Sequence, residues 1–222
     1  LCEASTFSVV RIGDGSVALS ANAAAVFIET RLATDGSLVG TIPLPTAPAG
    51  SNRACTLSGT STSEGNLTRS VDGRFLVLAC YDAAPGTTVT SSASSAINRI
   101  IARVDGLGAG DTTTSLGPAF SGANPRGAAS IDGSAFWASG NSSGAPATGG
   151  IWYADLGSVA STQVLALPNN TRFTYVFDGQ LYGSANSGTF TNVFSVGTGA
   201  PTTSGEIATP LPGMSTTGGS PY

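Results

Sequence analysis

The sequence has no histidine and no lysine, and its nine basic residues are all arginine. Without histidine there is no Ser-His-Asp triad, no imidazole general base and no histidine-ligated zinc site. Without lysine there is no Schiff base and no Ser-Lys dyad. The phosphate-binding pattern GxxxxGK[ST] is also missing. The sequence therefore predicts no catalytic residue, no metal site and no cofactor.

Charge is scarce as well. Charged residues make up 10% of the 222 residues, where about 25% is typical of a globular domain. The formal net charge is -4 and the sequence pI is about 4.6. Nucleic acids and anionic membrane surfaces are bound by clustered Lys and Arg, so neither is an expected partner. No apolar run approaches the roughly 18 residues that a membrane span requires.

The chain is rich in turn-forming residues, with 30 glycines and 12 prolines. They interrupt the sequence about every ten residues, which is the spacing of short strands rather than helices. The strongest strand-like runs cover 7–12, 26–32, 74–81, 97–104 and 173–177. These features predict an all-β fold.

An Asp-Gly pair recurs between strand-like runs, at Asp14-Gly15, Asp72-Gly73, Asp132-Gly133 and Asp178-Gly179. Asp-Gly in this context favours a type I′ hairpin, because both central residues need positive φ. A second hairpin follows each pair. Each unit therefore reads as strand, Asp-Gly turn, strand, loop, strand, turn and strand. The four units cover 7–45, 65–117, 124–167 and 170–212.

Four-stranded repeats of this length are typical of propeller blades, which bury their faces only by packing on one another. The sequence predicts one domain over 1–222, a β-propeller or partial β-propeller of about four four-stranded blades. Residues 220–222 read as the start of another strand, so more blades are expected beyond Tyr222. A β-sandwich or a β-solenoid is the alternative.

Several sequence frames resemble a group of secreted, propeller-like repeat proteins of unassigned function. These frames lie at 10–15, 67–74, 170–172 and 177–182. The resemblance implies the fold, secretion and further blades after Tyr222. It implies no catalytic residues.

Three cysteines permit one disulfide. Cys55 and Cys80 flank the entry and second strand of one unit and are the preferred pair. Three free thiols, a Cys2–Cys55 pair, or pairing of Cys2 with another chain stay open.

Carboxylates are the remaining side chains that could support catalysis. Those of the Asp-Gly pairs already have a turn-forming role. Three others have no such role and are the candidates for a carboxylate-based hydrolase or lyase: Glu29, Glu64 and Asp82.

Three arginines each lie a few residues before an Asp-Gly pair. Arg126 and Arg172 each lie six residues before the aspartate, and Arg69 lies three before it. If the first strands line a channel, Arg126 and Arg172 face its mouth and could bind an anion bidentately. The alternative is that each arginine pairs with a neighbouring acid or extends into solvent.

Three sequons, at Asn66, Asn141 and Asn169, permit N-glycosylation, although a chain so rich in Ser and Thr contains such triplets by chance. Five aromatic residues are expected mainly in the core, with sugar stacking as the alternative: Trp137, Trp152, Tyr153, Phe173 and Tyr175.

Together these features favour a secreted, non-catalytic structural or interaction module, such as a surface, sheath, matrix or filament subunit. Its expected partners are other copies of itself, or extracellular matrix and carbohydrate. A carbohydrate-binding propeller is the first alternative, and the carboxylate-based hydrolase or lyase is the second.

Overall fold

The structure, a computed structural model, describes residues 5–144, 146–186 and 191–217. This part of the chain forms sixteen strands and no helix. The strands are β1 (Thr6–Ile12), β2 (Ala23–Leu32), β3 (Leu38–Pro43), β4 (Thr56–Ser58), β5 (Thr68–Arg69), β6 (Phe75–Tyr81), β7 (Arg99–Asp105), β8 (Gly110–Ser115), β9 (Pro125–Ala129), β10 (Ala135–Gly140), β11 (Gly150–Asp155), β12 (Thr162–Leu165), β13 (Thr171–Phe177), β14 (Gln180–Asn186), β15 (Thr191–Val196) and β16 (Ala208–Pro210). The all-β prediction is confirmed.

The strands form three open antiparallel sheets. Strands β9–β12 form one four-stranded meander and β13–β16 form another. Strands β5–β8 form a third meander inside an eight-stranded sheet that also contains β1–β3. The short strand β4 joins its two parts, because it pairs with both β2 and β6. The three meanders therefore follow one another along the chain with the same internal order.

The first group of strands departs from the predicted pattern. Strand β1 pairs directly with β2, from Thr6 opposite Leu32 to Ile12 opposite Val26. Asp14-Gly15 then lies in the loop that follows β1, and no strand separates this loop from β2. The prediction of a fourth strand here, with Asp14-Gly15 as the first turn, is wrong. The direct pairing places the apolar residues of β1 opposite those of β2 on the same face of the sheet, so no additional strand is needed between them.

The other Asp-Gly pairs do join first and second strands, but with two turn geometries. The pair 178–179 has positive φ at both residues, 47° and 74°, as a type I′ turn requires. In the pairs 72–73 and 132–133 only the glycine has positive φ. A serine closes the longer turn, and the Phe75 N–H donates to Ser70 Oγ at 3.0 Å. The type I′ prediction is therefore correct for one hairpin only.

Three apolar cores lie between consecutive groups of strands. Strand β6 shows how they form, because its side chains alternate between two faces. Leu76 and Leu78 belong to the core shared with β1–β3, whereas Val77 and Ala79 belong to the core shared with β9–β12. Strand β10 behaves in the same way, with Phe136 on one side and Trp137 on the other. The internal meanders thus bury both faces.

A disulfide joins Cys55 to Cys80. Both residues are fully buried in the core between β1–β3 and β5–β8. This is the pairing that the sequence favoured. Cys2 and the strand expected at 220–222 lie outside the described residues.

Reduction of this disulfide should destabilise the fold. The bond closes a loop with a sequence separation of 25, for which the chain-entropy relation gives about 3–4 kcal/mol. We expect the urea midpoint of unfolding to fall when the native chain is reduced. The Cys55→Ala/Cys80→Ala double variant is the control, because reductant should leave its midpoint unchanged. An equal midpoint for the native chain with and without reductant would contradict the prediction.

Candidate functional site

Each of the three arginines of the predicted anion site donates a hydrogen bond to another residue of the chain. Arg126 is buried, and its Nη1 donates to Thr171 O at 2.8 Å. Arg172 is half-buried, and its Nε donates to Asn186 Oδ1 at 2.8 Å. Arg69 is exposed beside the Asp72-Gly73 turn. The buried arginine therefore links β9 to the start of β13, and anion binding stays a prediction.

The three candidate carboxylates belong to separate sets of partners. Glu29 forms ion pairs with Arg11 and Arg31 at 2.5 and 2.6 Å, and these guanidiniums hold its pKa below the usual range. Asp82 pairs with Arg53 at 3.0 Å. No hydrogen bond or ion pair in the described part of the chain joins any two of these carboxylates. Each of these carboxylates therefore has its own polar partners, and a carboxylate-based hydrolase or lyase stays a prediction.

Glu64, the third candidate, is the centre of a buried polar cluster. Its Oε2 accepts a hydrogen bond from the Ser58 N–H at 2.9 Å. Its Oε1 accepts one from Tyr81 Oη at 2.9 Å and another from Asn124 Nδ2. Burial raises the pKa of the Glu64 carboxyl, although these donors favour the ionised form. One carboxylate thus connects the loop after β4, the end of β6 and the segment before β9.

Arg99 completes the cluster and was not identified from the sequence. It is fully buried, with its guanidinium 5.1 Å from the centre of the Tyr81 ring. Its Nη2 donates to the carbonyl oxygens of Ser92 and Ala123, both at 2.8 Å. The available signal was an arginine at the start of the apolar strand β7. Its Nη1 also donates to Ser92 Oγ at 3.3 Å, so the cluster ties the segments around residues 92 and 123 to the start of β7.

Two larger features face solvent. The first is a cleft of about 610 Å³ between the start of β1 and strands β5 and β6. Its lining includes Phe7, Leu67, Arg69, Arg74 and Leu76. The cleft therefore has a mixed polar and apolar lining, which also includes Asp105.

The second feature is the outer face of the last sheet. Phe173, Tyr175 and Phe177 alternate along β13 and are 37%, 40% and 68% exposed. By contrast, Trp137 and Trp152 lie in the cores at 4% and 6% exposure, where the sequence placed them. The exposed rings of β13 instead form an uncovered aromatic face.

The sequon asparagines are all half-buried. Asn169 has structural contacts, since its Oδ1 accepts hydrogen bonds from Ser142 Oγ at 3.0 Å and the Gly149 N–H at 2.9 Å. The Asn66 N–H donates to Arg126 O at 3.3 Å. Glycosylation at Asn66, Asn141 and Asn169 stays a prediction.

Within the described ranges, no group of three or more Cys, Asp or Glu side chains is placed to hold a metal ion. Over the same residues there is no helix that could cross a membrane. No protein-family model matches the chain, and no curated protein is significantly similar to it.

Glu64 should make stability depend on pH. A carboxyl whose pKa rises on folding binds its proton more tightly in the folded state, so its contribution falls as pH rises above the unfolded value of 4.5. The slope reaches at most about 1.4 kcal/mol per pH unit. We expect the unfolding free energy of the wild type to fall more steeply above pH 4.5 than that of Glu64→Gln, measured by urea unfolding across pH.

Acids whose pKa is lowered on folding do not change the pH dependence of the unfolding free energy above pH 4.5. The pKa of Asp72 is lowered to about 2, chiefly by the Ser70 hydroxyl, so its contribution to stability is constant above the ordinary pKa of 3.8 and is lost only as pH falls below that value. Tyr81→Phe is a useful companion variant, because it removes a donor that favours the Glu64 carboxylate. The decline should then extend to higher pH. Equal slopes for the wild type and Glu64→Gln would contradict the assignment.

Proposed function

We propose that this chain is an extracellular, non-catalytic structural module, a propeller-like stack of blades that associates with further copies of itself. The observation that carries the proposal is the uncovered aromatic face on β13. A sheet with a solvent-exposed row of aromatic rings is typical of an interaction surface.

The packing of the first strands supports a blade arrangement. Strand β9 packs against β5 and β6 of the preceding meander and against β13 of the next. The Val71 N–H donates to Ser130 O at 3.1 Å, and Ser139 Oγ donates to Arg172 O at 2.8 Å. Neighbouring first strands are what a propeller places around its axis.

The two outermost faces of the stack are complementary. We call the face that packs on the preceding strands the leading face, and the opposite face the trailing face. In β13–β16 the leading face is buried and includes Val176 and Phe194, while the trailing face carries the exposed aromatic rings. In β1–β3 the trailing face is buried, and the leading face carries the ion pairs of Arg11 and Arg31 with Glu29.

Leading and trailing faces already pack on one another inside the chain, so the same contact can form between copies. Guanidinium groups bind well over aromatic rings, and Arg11 already lies 4.0 Å from the centre of the Phe27 ring. We therefore assign the leading face of a second copy as the occupant of the aromatic face. Such a head-to-tail contact is heterologous and builds rings or filaments.

The disulfide supports the extracellular part of the proposal. Buried disulfides such as Cys55–Cys80 form and persist mainly in oxidising compartments. A charged fraction of 10% and candidate carboxylates that are each engaged with their own polar partners support a structural role over a hydrolase.

Removal of aromatic rings from the trailing face should weaken self-association. We expect sedimentation velocity to show concentration-dependent assembly of the wild type. The variant Tyr175→Ser/Phe177→Ser should assemble about ten- to a hundredfold more weakly, since burial of each ring is worth about 1.5–3 kcal/mol when complete. Val159→Ser, at another exposed apolar position (69%), is the matched control and should assemble like the wild type.

Mixing of variants tests the head-to-tail geometry. Arg31→Gln should impair the leading face and Tyr175→Ser/Phe177→Ser the trailing face. Each variant alone should assemble weakly, whereas their mixture keeps one intact interface and should form dimers. A wild type that stays monomeric at the highest concentration would overturn self-association. Glycan-array binding that is lost in the double variant would instead show that the aromatic face binds carbohydrate.

A further inference from the structure

The group β1–β3 lacks one strand that each later meander has. Its β2–β3 turn at 35–36 corresponds to the β7–β8 turn at 105–106, so β2 and β3 are the third and fourth strands of the pattern. Strand β1 is then the counterpart of the second strands β6, β10 and β14. Among the described residues β1 pairs with β2 alone. Within the ranges that the structure describes, the first strand is therefore missing and one edge of β1 has no strand paired to it.

The open edge carries backbone groups that point away from β2. The Gly13 N–H donates to Ala25 O at 2.7 Å, and the Ala33 N–H donates to Ser5 O at 2.8 Å. The register between these two bonds is unbroken, so odd-numbered residues of β1 bond to β2. The N–H and C=O of Ser8 and Val10 therefore face the open edge. Neither residue has a backbone hydrogen bond to another described segment.

The 610 Å³ cleft lies beside this edge. Thr6 and Ser8 of β1 form one wall, and Leu67 and Arg69 form part of the other. Arg69 donates from Nε to Gly73 O at 2.8 Å, and no described acid pairs with it. The cleft thus combines unpaired backbone groups, a mixed polar and apolar lining that includes Asp105, and one arginine with donors available for a carboxylate.

The first strands of the later meanders show what fits next to a second strand. Strand β9 is Pro-Arg-Gly-Ala-Ala and is buried throughout. A Cβ at Gly127 would lie 2.8 Å from Ser139 Oγ and 3.3 Å from Arg172 O. The first strand β9 therefore carries a small residue where it approaches its neighbours closely, whereas the first strand β13 carries larger apolar residues.

We infer that the cleft and the open edge of β1 form an acceptor site for an extended segment of another polypeptide chain. The segment adds to β1 as the missing first strand, with main-chain hydrogen bonds to Ser8 and Val10. Small or apolar residues face the cleft at alternate positions, and an acidic residue meets Arg69. This site goes beyond the proposed self-association, because it uses the edge of β1 and neither outer sheet face.

The probe is a synthetic peptide with the sequence of residues 125–132, which supplies a first strand and an aspartate. Calorimetry with the full chain should show saturable binding. The same peptide N-methylated at alternate residues should bind at least about tenfold more weakly, because it loses main-chain donors. Replacement of its aspartate by asparagine, or Arg69→Gln in the protein, should weaken binding about three- to tenfold, with no further loss when both are combined.

Ser8→Pro tests the edge itself. It removes an N–H that faces away from β2 and so spares the β1–β2 ladder, and we expect at least about tenfold weaker binding. Ser8→Ala keeps the N–H and should bind like the wild type. No binding of the unmodified peptide, or equal binding of the N-methylated one, would overturn the inference even if Ser8→Pro does not fold. Tyr175→Ser/Phe177→Ser should bind the peptide normally, which separates this site from self-association.

Discussion

The alternation of side chains along each strand is the constraint on which this structure depends. With 41% of the chain hydrophobic and only 10% of it charged, the strands place apolar residues on both faces of their sheets. One sheet cannot bury both of its faces alone. The chain meets this requirement by serial packing, so that β6 and β10 contribute neighbouring residues to different cores. The order of the meanders along the chain and their contacts in space are consequences of that packing.

Serial packing leaves loops that must cross between sheets, and the buried polar groups hold them. Glu64 joins the loop after β4 to β6 and to the segment before β9, and Arg126 joins β9 to β13. Buried charges are costly unless their hydrogen bonds are made. Their role here is to fix the positions of segments that pure apolar packing would leave free to slide. The scarcity of charge thus coexists with a few charges at structurally demanding positions.

Much of the strand content was predictable, since turn residues and period-two runs are local signals. The Asp-Gly pairs located the first hairpin of the three later meanders, because glycine accepts positive φ there. The prediction of a hairpin at Asp14-Gly15 was wrong, although the dipeptide is the same as in the later meanders. Strand β1 pairs with β2 instead, and this pairing depends on contacts between strands rather than on the local sequence. The role of Arg99 was equally hidden, because its partners are backbone carbonyls of distant loops. Turn chemistry is thus readable from the sequence, whereas partner choice depends on tertiary packing.

The uncovered surfaces follow from the same constraint. A linear stack of two-faced sheets always ends in one leading and one trailing face, and the described stack ends in ion-paired arginines on one side and aromatic rings on the other. A net charge of -4 spread over 222 residues gives little repulsion between copies. The solubility of the chain then depends on which side chains the two outer sheet faces present to solvent. The outer face of β1–β3 carries ion pairs, whereas the outer face of β13 carries three exposed aromatic rings, of which Phe177 is 68% exposed. The aromatic face is therefore the end of the described stack that presents a row of rings to solvent.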